Sequence, residues 1–386
     1  MTEIDLDSVD NDPGGYWRSN RKKIKSALIT GNSKTRQCGS YAYVMAAKAG
    51  VVRDLSPSFT ADIRDCVNAD DALIRVNTIG GIGGTLISGN AETRRLLMDS
   101  SLVSDLTSAA TMVDRELSEN ALLALSMIAL EWPSSLVKYP PAIETCVEKV
   151  ASSGQRATYA ALSLANVAYH SPDDIASYFP NFRMAIDPST DGRQLAALIY
   201  CLGQTAPHQN LDKAEMDATI EAVNHCCRFV IKAEAPPALQ ALIIESMIPL
   251  TQLWSRAVSE TTIPALVESV LSWDSSRDLS AEETRAEDQT PLSVAEAAVK
   301  LAVALPQLNV NLDGEFLLAL EGATEDSTIE NAAKQLRQNN GNLTVESIFE
   351  QLVVEIEHLD ELISVDIDDS QNININSPGA VNRYYE

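Results

Sequence analysis

Residues 89–131, GNAETRRLLMDSSLVSDLTSAATMVDRELSENALLALSMIALE, make a pattern that few folds can accommodate. Gly89-Asn90 reads as a turn. A short helix with Arg94, Arg95, Leu96 and Leu97 follows, then a second carrying Leu102, Leu106 and Met112. A third runs from Glu119 through Ala129, and its positions 121, 125, 128, 129 and 132 form one apolar stripe at helical spacing. Three helices this short cannot bury that stripe among themselves. They require similar units stacked on either side.

The neighbouring sequence supplies such units. RATYAALSLANVAYH (Arg156 to His170) repeats the third-helix pattern with Ala161, Leu164, Ala165 and Ala168. GRQLAALIYCLGQ (Gly192 to Gln204) continues it, and PPALQALIIESMIPL (Pro236 to Leu250) follows with a proline suited to a first helical turn. Taking Met127, Asn166 and Cys201 as equivalent positions spaces the units 39 and 35 residues apart, an interval typical of two- or three-helix repeats. Upstream, helical patterns cover Arg36 to Ala49, Ser58 to Cys66 and Ala72 to Ile82. The last contains Ile79-Gly80-Gly81-Ile82-Gly83-Gly84, and glycine costs about 1 kcal/mol per position inside a helix. Close approach of neighbouring helices, or a helix end broken into a turn, accounts for the run better than a nucleotide loop, whose preceding strand is missing.

The ends of the chain read differently. Residues 1–15 are expected to be a disordered acidic arm, ahead of repeats spanning 16–273. The basic cluster Arg21, Lys22, Lys23 and Lys25 reads as a solvated helix face balancing nearby carboxylates, with a docking arm as the alternative. Residues 274–291 are charged and poor in apolar residues, a loop or linker. Helical repeats resume over 292–365. There Val345, Phe349, Leu352, Ile356, Leu359 and Ile363 alternate steps of four and three, a heptad-type seam over 343–364. That helix either caps the stack or allows self-association with another copy. Residues 366–386 read as a disordered tail.

Charge narrows the set of partners. The net charge is −25, which disfavours broad contact with nucleic acid or anionic lipid. Two readings of the surplus stay open, adaptation to a high-salt (halophilic) cytosol and an ordinary acidic surface. No apolar run is long enough to span a bilayer, and the acidic start lacks the order of a secretory signal, so a cytoplasmic protein with no membrane contact is expected. Six cysteines (Cys38, Cys66, Cys146, Cys201, Cys226 and Cys227) show neither disulfide nor zinc spacing and read as mostly buried thiols.

Catalytic patterns are missing from the sequence. Gly31-Asn32-Ser33-Lys34-Thr35 lacks the glycines of a phosphate loop and reads as a capped helix start. No Gly-x-Ser-x-Gly nucleophile elbow is present. The four histidines are not spaced as ligands, and the adjacent residues His225-Cys226-Cys227 point about 100° apart on a helix. No cofactor, no metal and no enzymatic activity are expected.

Residues 89–131, with the Gly-Asn opening, the helix after Ser101-Leu102-Val103 and the ENALLALSMIA third helix, resemble the armadillo/HEAT-repeat superfamily. The resemblance covers roughly residues 30–270. It implies an all-α fold, a right-handed α-solenoid (alpha-alpha superhelix), and a non-catalytic scaffold or adaptor binding a protein partner on its concave surface. Family members with peptide ligands often carry an asparagine on each third helix, which SLANVA matches at Asn166. Met127 and Cys201 at the equivalent positions cannot supply the same amide contact. The partner-binding candidates are therefore Met127, Trp132, Asn166, Tyr169 and Cys201, with Met127, Trp132 and Tyr169 as apolar anchors on a folded partner or a peptide. Two alternatives remain: a nucleic-acid-binding protein using an arginine strip of Arg75, Arg94, Arg95, Arg115 and Arg156, and a structural subunit of a larger assembly.

Overall fold

Side-chain caps fix where the helices begin. In the computed structural model, which describes residues 4–98, 101–232, 235–253, 262–271, 278–280, 289–305 and 312–338, an Asp or Asn side chain accepts a backbone N–H at the start of most long helices. Each such cap satisfies an amide that the helix cannot pair internally. The described residues fall into two compact units, one ending at Lys149 and the other beginning at Val150. That boundary lies inside the stretch 16–273 expected to form one repeat series.

The first unit opens with α1 (Leu6–Asn11), α2 (Pro13–Thr30) and α3 (Ser33–Lys48). It continues with α4 (Pro57–Val67), α5 (Ala72–Ser88), α6 (Ala91–Leu97), α7 (Leu102–Ala110) and α8 (Arg115–Glu131). Then come α9 (Pro133–Val137) and α10 (Pro140–Val150). Helices α3, α5 and α8 pack side by side, while α2, α4 and α7 back them in turn. Gly80 lies beside Val44 and Asn120, Gly84 beside Ala47, and Gly83 beside Leu123, so the three central helices run parallel. The backing helices carry the chain back between them, which is what makes the unit repeat.

Where a disordered arm was expected, α1 covers Leu6–Asn11 and α2 begins at Pro13. Asp5 caps α1 by accepting from Ser8 N at 3.2 Å, and Asp12 caps α2 by accepting from Gly15 N at 2.8 Å. Tyr41 Oη donates to Asp10 at 2.7 Å. These carboxylates are helix caps and anchors, and Asp12-Pro13 is a cap followed by a first-turn proline. Behind them, Trp17, Tyr43 and Phe59 form a buried aromatic cluster with centroids 6.1–6.3 Å apart. The adjoining basic cluster behaves as a balanced face, with Arg21 3.3 Å from Asp54 and Lys25 3.4 Å from Asp62.

In the second unit the long helices are α11 (Gln155–His170), α14 (Gly192–Thr205), α15 (Lys213–Ile231) and α16 (Pro237–Ser246), with the short α12 (Pro172–Ile175) and α13 (Phe179–Met184) before α14. Further along are α17 (Ile248–Leu253), α18 (Ile263–Leu271), α19 (Leu292–Ala304), α20 (Gly314–Ala323) and α21 (Ser327–Gln338). Here α11, α14, α16 and α19 form the central row, and α13, α15, α18 and α21 back it. Within the expected linker 274–291, Asp278–Ser280 and Gln289–Pro291 pair as two short parallel strands, β1 and β2. Its other residues, the proposed self-association helix 343–364 and the tail 366–386 lie outside the described residues.

Central helices are buried on every side across their middle turns: Val76–Leu86 in α5, Ala121–Ala129 in α8, Ala157–Ala168 in α11 and 194–203 in α14. A helix covered all round must be apolar or small-residued all round, and these are rich in Ala, Gly, Leu and Ile. Each unit is thus an all-α solenoid of stacked helical layers. Among the described residues no helix is long and apolar enough to cross a membrane.

Candidate binding surface

Two aspartates tie successive central helices together by the same means. Asp71 caps α5 by accepting from Leu73 N and Ile74 N, and its other oxygen accepts from Ser33 Oγ and Gln37 Nε2 of α3, both at 2.8 Å. Partial burial would raise its pKa, but the bonds from Ser33, Gln37 and the α5 amides outweigh that and hold it below the usual carboxylate value. In the second unit Asp191 caps α14 through Arg193 N and Gln194 N and accepts from Thr158 Oγ1 of α11 at 2.9 Å. Gln194 Nε2 then donates to Val150 O at 2.9 Å.

Such internal use of polar groups limits what the candidate residues can do. Cys201 is fully buried at 0%, Asn166 retains 4% exposure and Met127 6%. These three sit in the helical core and present almost no surface to a partner. The reason is the layering: the middle turns of α8, α11 and α14, where these residues lie, are covered on every side by neighbouring helices. Tyr169 does reach the surface at 55% exposure and meets His170 edge to face at 4.8 Å. Trp132, at the C-cap of α8, is half-buried.

The arginines of the proposed strip are largely committed elsewhere. Arg94 pairs with Glu131 at 3.0 Å, Arg115 with Glu119 at 2.7 Å, and Arg75 Nη1 donates to Ala69 O at 3.0 Å. Five of the six cysteines are buried and Cys38 is partly so. Burial pushes the Cys201 and Cys226 thiols well up and that of Cys227 up to about 12, which keeps them protonated and unreactive. Among the described residues no group of His, Cys, Asp and Glu converges as a metal site.

Periodicity could not reveal a cleft of about 350 Å³ in the second unit, between the loop entering α11 and the loop entering α14. Ser152, Ser153 and Gly154 form one wall, and Met184, Asp187 and Asp191 are on the other. Met184 is 77% exposed, and Gly154, at φ +70°, makes the turn into α11. Asp187 Oδ1 accepts from Ser189 N and Ser189 Oγ, both at 2.6 Å. Those two bonds keep its carboxyl below the usual range. The only sequence signal for this place was turn chemistry, Ser-Ser-Gly and Asp-Pro-Ser-Thr-Asp-Gly.

Comparison with known proteins places the fold and nothing finer. An engineered protein superposes with a TM-score of 0.64 over 95% of this chain and 94% of its own, at 14% identity. A second engineered protein (16% identical, TM-score 0.47) covers 60% of this chain and 96% of its own. A designed armadillo repeat protein (13% identical, TM-score 0.47) covers 59% of this chain and 98% of its own. No known family and no curated protein matches the sequence. The class these observations define is the all-α helical-repeat solenoid.

Proposed function

We propose that this protein is a non-catalytic scaffold that holds a protein partner on the surface of its helical stack. The observation that carries the reading is how its polar chemistry is spent. Many carboxylates cap helices or pair with arginines, the buried thiols are protonated, and no group of His, Cys, Asp and Glu converges as a metal site among the described residues. A rigid array with exposed side chains such as Tyr169 and Met184 then has recognition as its natural use. The test is crosslinking affinity capture from native extract, with wild type and Tyr169→Ala as paired baits. A partner recovered reproducibly, with its contacts mapped to the repeat surface, supports the reading. Failure to recover any protein at several salt concentrations removes it.

A further inference from the structure

The cleft between the α11 and α14 entrance loops has a definite chemical character. All of its ionisable lining side chains are carboxylates, Asp187 and Asp191, and its remaining polar side chains are the hydroxyls of Ser152, Ser153, Ser189 and Thr190 and the amide of Gln194. Asp191 already neutralises the start of α14. Asp187 is surface-exposed, and its ionised form is secured by Ser189. The nearest imidazole does not offset that charge. His225 has its pKa pulled down by burial and by Arg228, so it is neutral at pH 7. Arg183, on the helix before the loop, is occupied by Glu215 O at 2.9 Å.

At the rim stands Met184, an unbranched, polarisable side chain of the kind that packs along the methylene stem of a lysine or arginine. The cleft's volume of about 350 Å³ is enough for one extended side chain. A net charge of −25 on the whole chain attracts basic segments over longer distances.

We propose that this cleft receives a cationic side chain, arginine or lysine, from a protein partner. The guanidinium or ammonium group lies at Asp187, donates to the serine hydroxyl oxygens, and leaves its stem against Met184. The proposal rests on the scaffold reading and specifies the chemistry of what the scaffold holds.

The experiment uses the full chain with 13C-methyl methionine, the Met184 signal being assigned by its loss in Met184→Leu. It is titrated with acetyl-Gly-Arg-Gly-amide and with the same peptide carrying citrulline, which keeps the shape and removes the charge. The expected result is a saturable shift of the Met184 methyl with the arginine peptide and at least tenfold weaker binding of the citrulline peptide. Asp187→Asn, which keeps the oxygen that accepts from Ser189, should weaken the arginine peptide about tenfold. Asp191→Asn, which keeps the α14 cap, is the second variant and should weaken it less. No shift at Met184, or equal shifts with both peptides, overturns the proposal. The scaffold reading is tested apart from it: a captured partner that binds Asp187→Asn as tightly as wild type leaves the scaffold standing and removes the cleft from its contact.

Discussion

Two rows of parallel central helices do the same job in this molecule with different means. In the first unit α5 is sandwiched between α3 and α8 through glycine, so its backbone sits against its neighbours' side chains. A Cβ at Gly81 would overlap the Tyr43 ring, and one at Gly84 would stand 2.9 Å from the Ala47 carbonyl carbon. In the second unit alanines and branched aliphatics fill most of the spacing, with Gly203 against the Ser246 carbonyl, and among the described residues one buried ion pair crosses the row. Lys300 Nζ of α19 lies 2.9 Å from Glu245 Oε1 of α16, with side chains 9% and 1% exposed. The first row depends on shape and the second partly on charge. Layering therefore does not dictate the contacts that hold it, and the second row should respond to loss of charge as well as to added bulk.

The largest effect is expected at the charge pair. Replacing Lys300 by Met or Glu245 by Leu takes away the ion partner that the other charge has 2.9 Å away in the core, which should cost about 3–5 kcal/mol. Replacing both should restore stability to near the wild-type level, because the desolvation of two ions is relieved together with the loss of their attraction. Hydrogen exchange resolved to α16 and α19, alongside urea unfolding, reads this. Additive losses in the double variant would show that the pair contributes more than it costs, and would break the contrast between the rows.

Next come the glycines. Gly81→Ala forces Tyr43 out of its place, where its hydroxyl bonds Thr85 at 2.9 Å, and should cost about 1–3 kcal/mol by overpacking. Gly83→Ala is the control within the same run. Its new methyl would meet Leu123 at 3.5 Å and the Ala124 backbone nitrogen at 3.9 Å, ordinary contact distances, so the helix should gain up to about 1 kcal/mol from the better helix former. In the second unit Gly203→Ala would press on the Ser246 carbonyl and should resemble Gly81→Ala. Equal effects at Gly81 and Gly83, measured by thermal unfolding, would mean that the run is there for backbone freedom and not for close approach.

The glycine run also marks where the sequence stops being informative. Its local pattern allowed a broken helix end or a tight helix contact. The choice depends on Tyr43 and Ala47, residues some forty positions away that only the fold brings alongside. By contrast, residues 89–131 could be read directly, and α6, α7 and α8 lie where the period put them, because each buries a stripe that only its own spacing creates. Met112 was the exception, standing 44% exposed in the turn beyond α7. The acidic N-terminus was misread because carboxylates that cap helices look in composition like carboxylates that merely solvate a tail. Asp12-Pro13 was the local clue. The burial of Met127 and Cys201 was illegible for a different reason: a stripe gives the face of a helix to within a turn, whereas exposure depends on what packs against that face. The cleft beside Asp187 is made by loops, which have no period to read.

The smallest effect concerns what the two rows share. Asp71→Asn keeps the α5 cap but puts an NH2, which accepts from neither Ser33 nor Gln37, where the second oxygen was, and should cost about 1–2 kcal/mol. Asp191→Asn gives up a single bond, from Thr158, and should cost about 1 kcal/mol or less. The sign of the pH dependence follows from the folded-state shift. Because Asp71 is held below its unfolded value of about 3.9, its contribution is complete above that value and disappears as pH falls through the lower folded one. The stability gap between wild type and Asp71→Asn should therefore be constant from about pH 7 to pH 5 and close as the pH drops below about 4. A gap that stays open at the lowest pH at which the protein remains folded would mean that the aspartate acts through geometry alone, and that the bonds from Ser33 and Gln37 owe nothing to its charge.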